Sequence, residues 1–369
     1  MPDLADLKER ETFDTREWED RLDELTDDDI QGILKKRLHL PSVRRVQELR
    51  TKLCERYARR NDIIHAMCCA AIAQIPAVLI GPPGTAKSAL VRGLCEGLGL
   101  SARKGGDGDD SANAAAKIEE VETRRYFEYL LTRFTTPEEV VGPWHIQDLI
   151  HKQQYRRVTR GHLPEARIAF LDEIFKASSA ILNTLLTLLN EKIFYNGGRA
   201  VSVPLLMAFA ASNEMPTDET LKALLDRFPL RIPCPRVEPQ HRRELILRAW
   251  ELSYDRHFSR ARIAIEPIAC TNDLRLLNHV AHVAYRGREA LGKDEFDRQF
   301  LRFFDAFSDD VSDRTAPQLL AFARAEALLG DDKSLDHQKH LSVFKYVGFG
   351  ERHLSRVSGH FGTTRDRLA

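Results

Sequence analysis

Apolar positions along the chain fall into two patterns. From Val43 to Gln74 they recur at helical spacing, through Val46, Leu49, Leu53, Tyr57, Ile63, Ile64 and Met67, which predicts helix. Ala77-Val78-Leu79-Ile80 then forms an unbroken run between Pro76 and Gly81, the form of a strand buried on both faces of a parallel sheet. Ile168–Leu171 and Leu205–Ala211 repeat that form, and runs at Tyr126–Leu131 and Pro229–Pro233 predict two more strands. Helical patterns lie between them, most clearly over Ser178–Glu191, where Ile181, Leu182, Leu185, Leu186 and Leu189 share one face. Strands alternating with helices predict an α/β fold with a five-stranded parallel sheet flanked by helices. After Cys234-Pro235 the strand signal stops, and helical periodicity to about His340 predicts a separate all-α domain over 236–340.

Polar stretches complete the map. Residues 1–40 are charged with only a patchy apolar stripe and read as an acidic helical extension ahead of an α/β domain over 41–235; residues 341–369 are a tail. Residues 101–116 are small, polar and rich in Gly and Asp, as a surface loop would be. Over 192–204, β-like arms flank Asn196-Gly197-Gly198, a hairpin signal.

Composition adds limits. With 55 Lys+Arg against 55 Asp+Glu the chain has no net charge, which argues against a dedicated nucleic-acid binder. The neutrality conceals a gradient: residues 1–30 hold thirteen acids and four bases, residues 35–60 ten bases and two acids. The basic segment keeps a nucleic-acid role open, although a solvated helix face explains it as simply. The acidic N-terminus has no apolar signal core, Ile63–Ile80 is interrupted by His65, Gln74 and Pro76, and the six cysteines show no C-x-x-C spacing. These features predict a reduced, cytoplasmic protein without a membrane span.

The candidate chemistry begins at Gly81-Pro82-Pro83-Gly84-Thr85-Ala86-Lys87-Ser88, between the first strand and a helix expected over Ala89–Leu98. This is the phosphate-binding pattern G-x-x-x-x-G-K-[ST], with Ala86 where a second glycine usually stands. In such a loop the backbone N–H groups and the helix N-terminus cradle phosphate oxygens, Lys87 supplies charge to the β- and γ-phosphates, and the Ser88 hydroxyl suits Mg²⁺. A methyl at Ala86 is expected to require a right-handed backbone there. Asp172-Glu173 closes the run Ile168–Leu171, as a nucleotide-hydrolysing site needs: Asp172 for Mg²⁺ through its water shell, Glu173 to activate the attacking water. Asn213, at the end of the next run, suits either an Asx-turn or a contact to the γ-phosphate or the lytic water. Asp226-Arg227-Phe228 and Ser312-Asp313-Arg314 follow, in an order that suggests phosphate-directed arginines.

The ordered set GPPGTAKS, IAFLDE, AASNE, LLDRF and SDR resembles the AAA+ ATPases, and within them the MoxR group near its RavA-like branch. The segments 127–143, 160–191 and 210–216 carry the resemblance to that branch, which extends over about 45–335; Ala86 is the branch's own form of the loop. The resemblance implies an ATP- and Mg²⁺-dependent ATPase that works as a homo-oligomeric, usually hexameric, ring. Residues 81–89 (through Ala89) would bind nucleotide, and Ser88 with Asp172 the metal. Glu173 would be the catalytic base and Asn213 the first sensor. Arg227 would be an arginine finger reaching a neighbouring subunit's nucleotide. Arg314, opening a helix of the all-α lid, would be a second sensor of the γ-phosphate. An insertion over 143–164 and the hairpin 192–204 fit the family's extra elements. The implied work is remodelling or activating a protein client, with a von Willebrand factor A-domain partner. The alternatives are a nucleic-acid-directed AAA+ NTPase or a metal-inserting, enzyme-activating relative of the chelatase or CbbQ/NorQ kind. The RavA-like partner-binding region has no counterpart in the chain.

Overall fold

The structure, a computed structural model, describes residues 41–100, 125–216, 222–258, 265–283, 295–307, 312–330 and 339–348, with 353, 355 and 357. The acidic extension, the 101–116 loop and most of the tail lie outside the described residues.

The helical pattern after Val43 is two helices rather than one. Helix α1 spans Pro41–Arg56 and buries Val43, Val46, Leu49 and Leu53; α2 spans Asn61–Ala73 and is buried over most of its surface. Between them Arg59 has φ +58°, which breaks the helical path. Gln74 ends α2 in the left-handed region, and Pro76, lacking an N–H, leads into strand β1 at Ala77–Ile80. Helix α3 follows at Lys87–Gly97 and strand β2 at Tyr126–Leu130. Two short helices, α4 at Pro137–Val141 and α5 at Ile146–Lys152, precede β3 at Ile168–Asp172. Helix α6 (Ser179–Glu191) leads into a hairpin of β4 (Ile193–Asn196) and β5 (Arg199–Ser202). Its turn residues Gly197 and Gly198 both have positive φ, as a tight two-residue hairpin requires. Strand β6 (Met207–Ser212), helix α7 (Lys222–Leu225) and β7 (Leu230–Pro233) complete the sheet-forming part.

The main sheet has the order β2-β3-β6-β1-β7, with every pairing parallel. All five strands therefore end at one edge and begin at the other. Alternate residues face opposite sides. Ala77, Leu79, Phe170, Phe209 and Ile232 enter one core with α1, α2 and α3, while Val78, Ile80, Leu171 and Ala210 enter a second with α4 and α6. Helices thus cover both faces, which explains why these strands read as unbroken apolar runs.

The described residues after Pro235 form helices: α8 (Arg242–Phe258), α9 (Thr271–Val283), α10 (Glu295–Ala306) and α11 (Ala316–Leu329). Leu274, Leu277, Val280, Leu319, Phe322 and Ala323 share the first core with α1 and α2. Polar ties reinforce that packing. Buried Asp273 accepts from Ser42 Oγ at 2.6 Å and from Arg45 Nε at 3.0 Å, and Arg167 Nη1 donates to Thr271 Oγ1 at 2.6 Å. The basic segment is accordingly more than a solvated face: Arg45, Arg56 and Arg60 meet Asp273, Glu96 and the Pro235 carbonyl. The tail segment is anchored too. Phe344 is fully buried among Phe300, Phe303 and Phe307, and the Arg231 N–H at the open side of β7 donates to the Tyr346 carbonyl at 2.6 Å.

Candidate functional site

The phosphate-binding loop sits where β1 ends. Gly81 lies against the neighbouring backbone, since a Cβ there would come within 2.0 Å of the Cys234 carbonyl oxygen, and its N–H donates to the Ser212 carbonyl at 3.1 Å. These contacts hold the loop's base between β6 and the end of β7. Thr85 is buried and closes the loop by donating to the Pro82 carbonyl at 3.0 Å; Pro83 and Gly84 are exposed at its tip, with φ +80° at Gly84. Tyr57 donates to the Ala89 carbonyl at 2.7 Å and ties the start of α3 to the α1–α2 connection.

Ala86 corrects the sequence expectation. Its φ is +67° and its ψ +20°, in the left-handed region, so the methyl is carried on a strained backbone. A left-handed backbone at this position costs an L-residue about 1–2 kcal/mol. The helix N-terminus that follows has no side-chain cap, leaving its first-turn N–H groups to an outside acceptor.

The polar side chains converge on this edge. Lys87 is 8% exposed, and its Nζ donates to the Gly81 carbonyl at 2.6 Å, the Pro82 carbonyl at 3.2 Å and Asn213 Oδ1 at 3.0 Å. The Asn213 Nδ2 in turn donates to Glu173 Oε1, whose other oxygen lies 3.3 Å from Lys176 Nζ. Ser88 Oγ donates to Asp172 Oδ2 at 3.2 Å. The β3 terminus thus faces the loop through Asp172, and the β6 terminus links Lys87 to Glu173 through one amide. Asn213 is here no mere turn former. An uncapped helix start beside an ammonium held by carbonyl and amide oxygens fits a polyphosphate, and a hydroxyl beside a carboxylate fits Mg²⁺, which when bound would neutralise phosphate charge.

Arg227 and Arg314 lie elsewhere. Both line a cleft of about 620 Å³ together with Pro76, Lys192, Glu191 and Asp226. Pro76 precedes β1, Arg227 precedes β7 and Lys192 follows α6, so this is the edge where the strands begin. The four residues of β1 alone separate it from the loop by about 13 Å. The structure does not bring Arg314 to the phosphate-binding loop of its own chain. Arg227 pairs with adjacent Asp226 through Nη1, while its Nε is buried without a hydrogen-bond partner among the described residues. Lys192 was not visible as a site residue from the sequence, since it reads only as the junction between an apolar helix and a hairpin.

The insertion and the hairpin form one surface. Asn196 accepts from the Arg157 N–H at 2.7 Å and donates to its carbonyl at 3.1 Å, and the Arg157 guanidinium stacks 3.7 Å over the Trp144 ring. Ile146, Ile150, Tyr155 and Tyr195 are exposed around this joint.

Comparison with known proteins places this arrangement. The family described as the MoxR domain in the MoxR–vWA–β-propeller ternary systems matches residues 44–104 and 105–274. The chain belongs to this MoxR family. Two uncharacterized proteins of Methanocaldococcus jannaschii are 39% and 38% identical to it over 186 and 187 residues. These matches cover 50% and 51% of this chain and 43% of each relative. A structural protein of Acidianus two-tailed virus is 29% identical over 202 residues, covering 54% of this chain and 29% of that protein. The MoxR chain therefore matches less than half the length of these relatives. The solved structure of a presumed ATPase from Cytophaga hutchinsonii superposes with a TM-score of 0.60 at 14% identity, covering 92% of this chain and 96% of that one, and shares the fold. Among the described residues no helix is long and apolar enough to cross a membrane.

Proposed function

We propose that this MoxR domain is one subunit of a cytoplasmic, hexameric ring that hydrolyses Mg²⁺-bound ATP and remodels or activates a protein client with a von Willebrand factor A-domain partner. One observation carries the reading: the chain holds the parts of a hydrolytic site at opposite edges of its sheet. Lys87, Ser88, Asp172, Glu173 and Asn213 stand where the strands end, Arg227 and Arg314 where they begin. A single chain cannot bring the two sets together across the sheet. Two chains side by side in a ring can, with the second chain's arginines facing the first chain's nucleotide.

The geometry supports a role for each residue. The loop amides of residues 84–88 and the Lys87 ammonium bind and orient the phosphates, once Lys87 exchanges its carbonyl acceptors for phosphate oxygens. Ser88 and Asp172 hold the metal, which supplies charge neutralisation. Glu173 accepts a proton from the attacking water, and Asn213 positions that carboxylate relative to Lys87. Arg227 and Arg314 stabilise the charge that develops on the transferred phosphoryl group. The exposed apolar surface built by the insertion and hairpin suits a protein partner. The family's description, which couples MoxR to vWA and β-propeller components, supports that partner class. The finer placement near the RavA-like branch rests on the segments 127–143, 160–191 and 210–216.

The test is a mixing experiment. Glu173→Gln is expected to lower turnover by about 10²–10⁴-fold while nucleotide binding persists. Arg227→Ala is expected to be inactive alone, yet to regain activity when mixed with Glu173→Gln, because mixed interfaces contain one intact half from each. Absence of recovery under subunit exchange would exclude a site shared between chains.

A further inference from the structure

The cleft at the strand-beginning edge contains a cation with no hydrogen-bond partner among the described residues. Lys192 ends α6, and its carbonyl accepts from the Val203 N–H at 2.7 Å, so it also roots the β4–β5 hairpin. Its Nζ is buried without a hydrogen-bond partner among the described residues, as is the Nε of Arg227, which lines the same cleft. Of the two acids in the wall, Asp226 is taken by Arg227, and no ion pair joins Glu191 to Lys192. Burial alone pushes the Lys192 ammonium down to about 8, with no carboxylate counteracting it. An ammonium removed from water without a partner costs stability, and among the described residues nothing offsets it. A polyphosphate would: a lysine is a compact point charge suited to it, and the desolvated setting makes the pairing stronger.

We infer that Lys192 is a third cation, with Arg227 and Arg314, of a face that receives the terminal phosphates of the nucleotide bound by the adjacent copy. This rests on the shared-site reading above and extends it to a residue that the reading does not use. Lys192 then contacts the phosphoryl group late, when the interface closes, and its burial in the isolated subunit is the preparation for that contact. Its neighbours facing the same space are Glu191, Asp226, Arg227 and Arg314.

The experiment compares Lys192→Met, Lys192→Arg and Arg227→Ala in the full chain, with turnover of Mg²⁺-ATP in assembled rings, equilibrium nucleotide binding and melting temperature as readouts. Lys192→Met is expected to lower kcat about 10²-fold with little change in KM or in nucleotide binding, and to melt higher than the parent at neutral pH. Lys192→Arg is expected to restore most of the turnover, as a merely structural lysine would not require. Parent-like kcat in folded, assembled Lys192→Met rings would overturn the inference. So would a loss that disappears once protein concentration restores assembly, since the partner would then be a carboxylate of the adjacent copy. If Arg227→Ala is inactive and Lys192→Met is not, only Lys192 is misassigned; if Arg227→Ala turns over normally, the shared site itself fails.

Discussion

The two edges of the sheet treat charge in opposite ways. Where the strands end, the polar groups satisfy one another: Lys87 is held by two carbonyls and Asn213, Asn213 holds Glu173, and Ser88 donates to Asp172. Where the strands begin, Lys192 Nζ and Arg227 Nε are buried without hydrogen-bond partners among the described residues. The first edge is a site that one chain can assemble and keep closed in the absence of ligand. The second is a surplus of donors that a single chain leaves unused. The contrast is what a divided active site requires, since half of each site must wait for groups held elsewhere.

The contrast can be broken first through Arg314. If the two edges serve different chains, Arg314→Ala leaves the nucleotide affinity of the unassembled chain unchanged and lowers turnover in the ring by about 10²–10³-fold. Weakened binding in the unassembled chain, measured by equilibrium titration, would place Arg314 at its own loop and dissolve the distinction.

A smaller effect sharpens the account of the donor-rich edge. The folded-state value of Lys192 lies near 8, below its ordinary 10.5, so between these values the unfolded chain holds a proton that the folded one has released. Stability therefore rises with pH across that window and is flat below it, with a total contribution of about 3 kcal/mol. Urea unfolding at a series of pH values should show this rise in the parent and lose it in Lys192→Met, with Glu191, Asp226, Arg227 and Arg314 left in place. An unchanged slope in the variant would mean that Lys192 is not desolvated.

The smallest effect concerns the loop. Ala86→Gly relieves a left-handed alanine but adds freedom to the unfolded chain, for a net gain of about 1 kcal/mol or less in thermal or urea unfolding. A destabilised Ala86→Gly protein would show that the methyl packs rather than strains.

Much of the fold was legible in the sequence because its signals are local. Ala77–Ile80 and Ile168–Asp172 are unbroken apolar runs since both faces of the sheet are covered, and Pro76, Gly81 and the Gly197-Gly198 pair mark ends that only those residue types serve well. The polar cluster at the strand ends was legible for a related reason: in a parallel sheet the residues that follow each strand all arrive at one edge, so Lys87, Asp172 and Asn213 could be read together. The break near Arg59 was not legible, because apolar spacing continues across it. Nor was the left-handed backbone of Ala86, since alanine carries no sequence signal for positive φ.

What the sequence by itself determined was the order of strands and helices, the loop with the phosphate-binding pattern and the carboxylates opposite it, since hydrophobic period and turn chemistry act over a few residues. What only the tertiary structure decided was which charges meet. The chain's arginines and lysines look alike in sequence, and whether one is a tie between helices, as Arg45 is to Asp273, or an unpartnered cation, as Lys192 is, depends on burial and on neighbours. Electrostatic worth is set by desolvation and by the nearest opposite charge, and both are properties of the packed molecule.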